Sequence, residues 1–138
     1  HHDSGTALST ARRLCLSFDA TADLLTVVPS LAGARKSTPA ARLLPSAASA
    51  QLKMERDDAT EALSAYARTL QEAGVRTELA TRADEPAEAI LKEATEQHAE
   101  LIVLSTHART GFDAWYTGST GYRVITEAKQ TLLLLREL

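Results

Sequence analysis

The chain predicts an α/β fold: an open parallel five-stranded sheet with helices on both faces, its first strand missing from this chain. Three observations lead there. Strand-length apolar runs at 22–28, 101–104 and 131–135 alternate with segments of helical periodicity. The runs at 101–104 and 132–135 are apolar throughout, as in strands buried between two layers of helices. The chain has 138 residues, of which 44% are apolar and 24% charged, enough for one core. Residues 1–138 therefore read as a single domain.

Each element has its own signal. Asp3 or Ser4 caps a first helix whose stripe is Ala7, Ala11, Leu14 and Phe18, with Leu8 and Cys15 beside it. A strand at 22–28 ends at Pro29. Residues 30–46 mix Ser, Pro, Gly and basic residues and read as a long surface loop. A helix over 47–73 follows, with Ala59, Leu63, Tyr66 and Leu70 inward and Gly74 as terminator. Val75, Thr77 and Leu79 alternate with Arg76 and Glu78, the pattern of a half-buried strand. Asp84 and Pro86 start a helix whose inner face is Ala87, Ile90, Leu91 and Ala94. Glu93, Glu96 and Glu100 around His98 read as its wet face, as do Glu55, Asp57, Asp58 and Glu61 on the long helix. A strand at 101–104 leads to a polar loop over 105–118. A last helix begins near Ser119 with Tyr122, Val124 and Ile125 on its stripe, and a strand at 131–135 closes the chain. A helix at the very start is unusual for this architecture: either the opening strand is lacking or it lies upstream of His1.

Composition removes several classes. Lys and Arg number 15 against 18 Asp and Glu, a net charge of −3, whereas proteins held to nucleic acid by bulk charge are basic. Six aromatic residues, three Tyr, two Phe and one Trp, are too few for a base-stacking platform. No apolar stretch approaches the roughly 20 residues that span a bilayer, and the first residues do not read as a signal peptide. Cys15 is alone, which excludes an internal disulfide framework and a multi-cysteine metal cluster. The expectation is a cytoplasmic protein without nucleic-acid or membrane partners.

The segment from 101 has the order strand, small-residue loop, Gly-Ser, helix. A helix amino end presents unpaired N–H groups and a partial positive charge, and a small residue before it lets a phosphate approach. Gly118, Ser119 and Thr120 form that end. Ser105 and Thr106 stand at the strand's carboxyl end, and Arg109 supplies charge. Read without a ligand, Gly-Ser is an ordinary helix cap and Arg109 a solvated loop residue. His107 has no second ligand at metal spacing, and neither GxxxxGK[ST] nor GxGxxG occurs. Trp115 and Tyr116 stand out in a loop poor in apolar residues and fit either partner contact or packing on the 30–46 loop.

These residues resemble the carboxyl-terminal signature of the universal stress protein family: Gly, two residues, Gly, nine residues, Gly, then Ser or Thr. The equivalent positions are Ser105, Ala108, Gly118 and Ser119, with the nine-residue spacer 109–117 kept. Thr106, His107, Arg109, Thr110 and Gly111 are also similar. DEPAEAI at 84–90 resembles the family's Gly-x-Pro-Ala-x-x-Ile turn, with Asp84 at the glycine. Asp3-Ser4-Gly5 resembles the end of its first strand, and Val27, Val28 and Pro29 the end of its second.

The resemblance implies five parallel strands and, in a subset of members, a pocket for ATP or another adenine nucleotide, with or without Mg²⁺. Carried over, Asp3 would contact the adenosine and Val28 would offer backbone groups to the base. Ser105, Ala108, Arg109, Gly118, Ser119 and Thr120 would surround ribose and phosphates. Ser105 and Ala108 replace glycines, and where positive φ is needed the Ala methyl costs on the order of 1 kcal/mol. It also implies a homodimer through the last strand, 131–135.

The expected function is an adenine-nucleotide-binding stress regulator with slow or no hydrolysis, since no general base is evident, no catalytic or metal residue is assigned, and Asp113 is the one acid in the loop. The alternative is a dimeric interaction module with an empty pocket. An adenylyl transferase is disfavoured by the absence of HxGH-type and PP-loop motifs.

Overall fold

The computed structural model describes residues 5–28, 30, 45–106 and 120–136. Its elements are α1 (Gly5–Phe18), β1 (Ala22–Val27), α2 (Pro45–Glu72), β2 (Thr77–Arg82), α3 (Pro86–Glu96), β3 (Leu101–Thr106), α4 (Thr120–Glu127) and β4 (Thr131–Arg136). Every element read from the sequence within these residues is present. Several boundaries move, the largest shift being that of β2, which runs over Thr77–Arg82 rather than 75–79. The long helix starts at Pro45 rather than 47, a position where the missing proline N–H costs nothing, and its end at Glu72 puts Gly74 in the terminating turn.

Three helices stop in one way. Asp19, Gly74 and His98 have φ of 50°, 92° and 51°. The next residue's N–H then donates to the carbonyl five residues back: Ala20 to Cys15 at 3.0 Å, Val75 to Leu70 at 3.0 Å, Ala99 to Ala94 at 2.9 Å. This is the Schellman closure of a helix carboxyl end. It turns each chain directly into the following strand.

The described strands form two parallel pairs, β1 with β2 and β3 with β4, and not one sheet. Ala22 lies opposite Thr77 and Val27 opposite Arg82; Leu101 lies opposite Thr131 and Ser105 opposite Leu135. The five-stranded sheet of the sequence reading is thus represented by four strands, with β1 and β3 not hydrogen-bonded to each other. Helix α1 touches both pairs, packing on β1, β3 and α2.

Helices cover both faces of the first pair. Ala22, Leu70 and Val75 form a buried cluster with Leu8, Cys15 and Leu24 against it. Arg82, opposite Val27 in the register, lies on the other face, since successive strand side chains alternate, and there it hydrogen-bonds Glu93 of α3. Leu63 and Ala67 add to the α2 contact, while Glu55, Asp57, Asp58 and Glu61 are exposed as expected. Leu79 departs from its expected inward place: it is 48% exposed, because β2 pairs with β1 alone among the described strands and its margin is thinly covered. Among the described residues no helix is long and apolar enough to cross a membrane.

Candidate functional site

Three of the eight candidate residues fall among those described. Val28 follows β1 and is 3% exposed. Its N–H donates to the Arg82 carbonyl at 2.8 Å, extending the parallel ladder one step. That commits the donor to the sheet and leaves the carbonyl as the group a base can use. Ser105 is half-buried, one residue before the end of β3 and opposite Leu135. Thr120 is the first residue of α4. Helix α4 is seated by Gly121 and Val124, both buried, and its first N–H groups lack partners within the helix. Tyr122, expected on the inner stripe, is 42% exposed; Gly121 takes the buried position instead, so the seat is narrower than the periodicity suggested. Asp3, Ala108, Arg109, Gly118 and Ser119 lie outside the described residues, as do His107, Asp113, Trp115 and Tyr116.

Helices α3 and α4 are tied at their starts. Glu85 is the N-cap of α3; its carboxylate accepts from the N–H groups of Ala87 and Glu88, both at 3.2 Å. The same side chain accepts from Arg123 Nη1 of α4 at 2.6 Å. Arg123 also reaches Glu127 at 3.3 Å. Asp84 was the expected start signal, but with Pro86 as the first helical residue the cap falls on Glu85. Lys92 pairs with Glu88 at 3.0 Å, and this contact holds the Glu88 carboxyl below its usual range.

A second cluster was not visible as such in the sequence. Glu93, assigned there to a wet face, is 6% exposed. It accepts from Arg82 Nε at 2.7 Å. Arg82 also hydrogen-bonds Glu96 and lies 4.0 Å from Asp84. The correction has a plain cause: α3 lays Glu93 on the sheet face of the helix, beside Ala89 and Ala94, and a buried carboxylate is tolerated because the strand brings a guanidinium to it. Neighbouring acids with one dominant cation mark groups with perturbed proton affinity. No group of three or more His, Cys, Asp or Glu among the described residues is arranged to hold a metal. A groove of 370 Å³ runs beside Leu91, Thr95, His98, Glu127 and Lys129. It lies at the carboxyl ends of α3 and α4, the poles that repel a phosphate.

Parallel strands with helices on both faces, and a helix amino end after a strand's carboxyl end, define the class of doubly wound α/β domains that take ligands at strand carboxyl ends. Within that class the assignment is specific. Residues 1–136 match the model of the universal stress protein family, and the chain belongs to that family. No curated protein sequence matches the chain significantly. Solved structures share the fold. The hypothetical protein MJ0577 superposes with a TM-score of 0.75 at 16% identity, over 96% of this chain and 87% of that one. The universal stress protein UspA from Lactobacillus plantarum gives 0.68 at 23% identity, over 97% and 92%. A universal stress protein in complex with cAMP gives 0.58 at 16% identity, over 95% and 85%.

Proposed function

We propose that the chain is a stress-response regulator that binds an adenine nucleotide, ATP or AMP, around the loop 105–120, with slow or no hydrolysis. The observation that carries the reading is the pairing of Val28 with Arg82. With its N–H committed, Val28 offers a base its carbonyl as acceptor and no backbone donor, which suits the exocyclic amine of adenine. Family membership and a relative in complex with cAMP support the same chemistry. Ser105 and Thr120 offer hydroxyls and α4 its first N–H groups to phosphates. Asp3, Ala108, Arg109, Gly118 and Ser119 complete the pocket in this reading.

Calorimetric titration with ATP, AMP and GTP tests it, alongside mass spectrometry of ligand released from denatured, freshly purified protein. Binding of ATP or AMP, with GTP weaker and Gly118→Val inactive, is the expected result. No adenine nucleotide recovered and no heat from folded protein overturns it.

A second reading rests on Ser105 and Ala108 standing at the family's glycine positions. The chain is then a dimeric interaction module with an empty pocket. Ala108→Gly separates the two: it strengthens nucleotide binding under the first and changes nothing under the second. Both readings include a homodimer through 131–135. In its support, β4 pairs with β3 alone among the described strands and carries four consecutive leucines. Light scattering of Leu133→Lys, expected to be monomeric, tests it.

A further inference from the structure

Strand β2 pairs with β1 alone among the described strands. Ala22 of β1 and Val28 just after it donate to the carbonyls of Arg76 and Arg82, each at 2.8 Å. In a parallel ladder alternate residues turn their backbone groups to the same side. Arg76, Glu78, Ala80 and Arg82 therefore face β1, and the N–H and C=O groups of Thr77, Leu79 and Thr81 face away from it. The side chain of Leu79 is 48% exposed, and Glu78 is exposed beside it. Open backbone groups with an exposed aliphatic side chain make a template for another strand.

We propose that β2 is a self-pairing edge, at which two copies join antiparallel about a twofold axis at Ala80 and form one continuous sheet. The occupant follows from charge and register. With the axis at Ala80, Leu79 of each copy stands opposite Thr81 of the other, so outward backbone groups meet outward backbone groups, and Glu78 stands opposite Arg82. Moving the axis by one residue keeps the backbone matched but sets Arg76 against Arg82, or Glu78 against Asp84. Unlike charges directly opposite support a sheet and like charges destabilise it, so the sequence singles out the register at Ala80. Arg82 gives Nε to Glu93 and Nη2 to Glu96, while its Nη1 lies 4.0 Å from Asp84. An Nη1 hydrogen thus remains for Glu78 of the other copy. Leu79 shares the α2 face with Leu24, its register partner, and Thr81 of the other copy covers it. The pairing goes beyond the nucleotide reading, does not depend on it, and uses a different edge from the strand at 131–135.

Sedimentation velocity of Leu133→Lys tests it, because that substitution removes the other proposed contact between copies. One short strand pair is a small interface, so Leu133→Lys should be monomeric at about 10 μM and approach a dimer towards about 1 mM. Over that range the amides of Leu79 and Thr81 should gain about tenfold in hydrogen-exchange protection. Added to Leu133→Lys, Thr81→Pro removes an outward N–H, leaves the β1 ladder intact and should keep the chain monomeric. Glu78→Lys should weaken association by about tenfold or more, since by symmetry two pairs turn repulsive. Glu100→Lys, the same charge change at an exposed residue ahead of β3, should leave association unaltered. A Leu133→Lys chain still monomeric at about 1 mM overturns the proposal and leaves the edge to a strand of another protein. Association that Thr81→Pro and Glu78→Lys leave unchanged also overturns it. Should Leu133→Lys or Thr81→Pro fail to fold, Glu78→Lys in the otherwise unaltered chain decides: the concentration-dependent protection of the Leu79 and Thr81 amides must be lost.

Discussion

The two strand pairs are built from opposite materials. β3 and β4 are largely aliphatic, LIVLS facing TLLLL, yet among the residues whose burial is described only Ile102 is buried. β1 and β2 mix Asp, Glu, Arg and Thr with aliphatics, yet they carry the described core cluster and helices on both faces. Apolar content thus states what a strand tolerates, while burial is set by what covers it. The first pair has α1, α2 and α3 upon it; on the second, the described cover is mainly α1.

The contrast breaks most directly at Leu70, which is 2% exposed and touches Ala22 and Val75. Leu70→Ala should cost about 3 kcal/mol in chemical denaturation. Arg82→Ala should rank next, because it strips the cation from a buried carboxylate; its denaturation midpoint should fall between those of Leu70→Ala and Leu133→Ala. Leu133→Ala, in the half-buried aliphatic pair, should cost about 1.5 kcal/mol. If it matches Leu70→Ala, the second pair is the true core and the comparison fails. Lys92→Ala, which removes exposed ion pairs to Glu88 and Asp84, should leave the melting temperature unchanged within error.

The same contrast explains what the sequence disclosed. Local signals sufficed for the elements: Gly74 ends a helix, Pro86 begins one, and the runs at 101–104 and 131–135 are strands. Burial was less legible. Glu93 sits among Glu96, His98 and Glu100 in sequence, and its partner Arg82 arrives from another element, so periodicity alone assigns it to solvent. Leu79 alternates correctly but lies on a thinly covered strand. At the candidate site, Val28 was legible as a strand end. The commitment of its N–H to Arg82 depends on the register between β1 and β2, which no local pattern states.

The left-handed residues after α1, α2 and α3 show how one turn geometry is met by different residues. Gly74 meets nothing within 4 Å of an added Cβ, so its glycine answers to backbone angle and not to space. Asp19 and His98 hold similar angles with side chains attached, at a strain on the order of 1 kcal/mol each. Glycine at either position would relax the turn while loosening the unfolded chain. At Asp19 and His98 the two effects nearly cancel, so the Schellman bonds hold the geometry whichever of the two residue types stands at the bend, whereas Gly74, at φ 92°, is kept by its backbone angle.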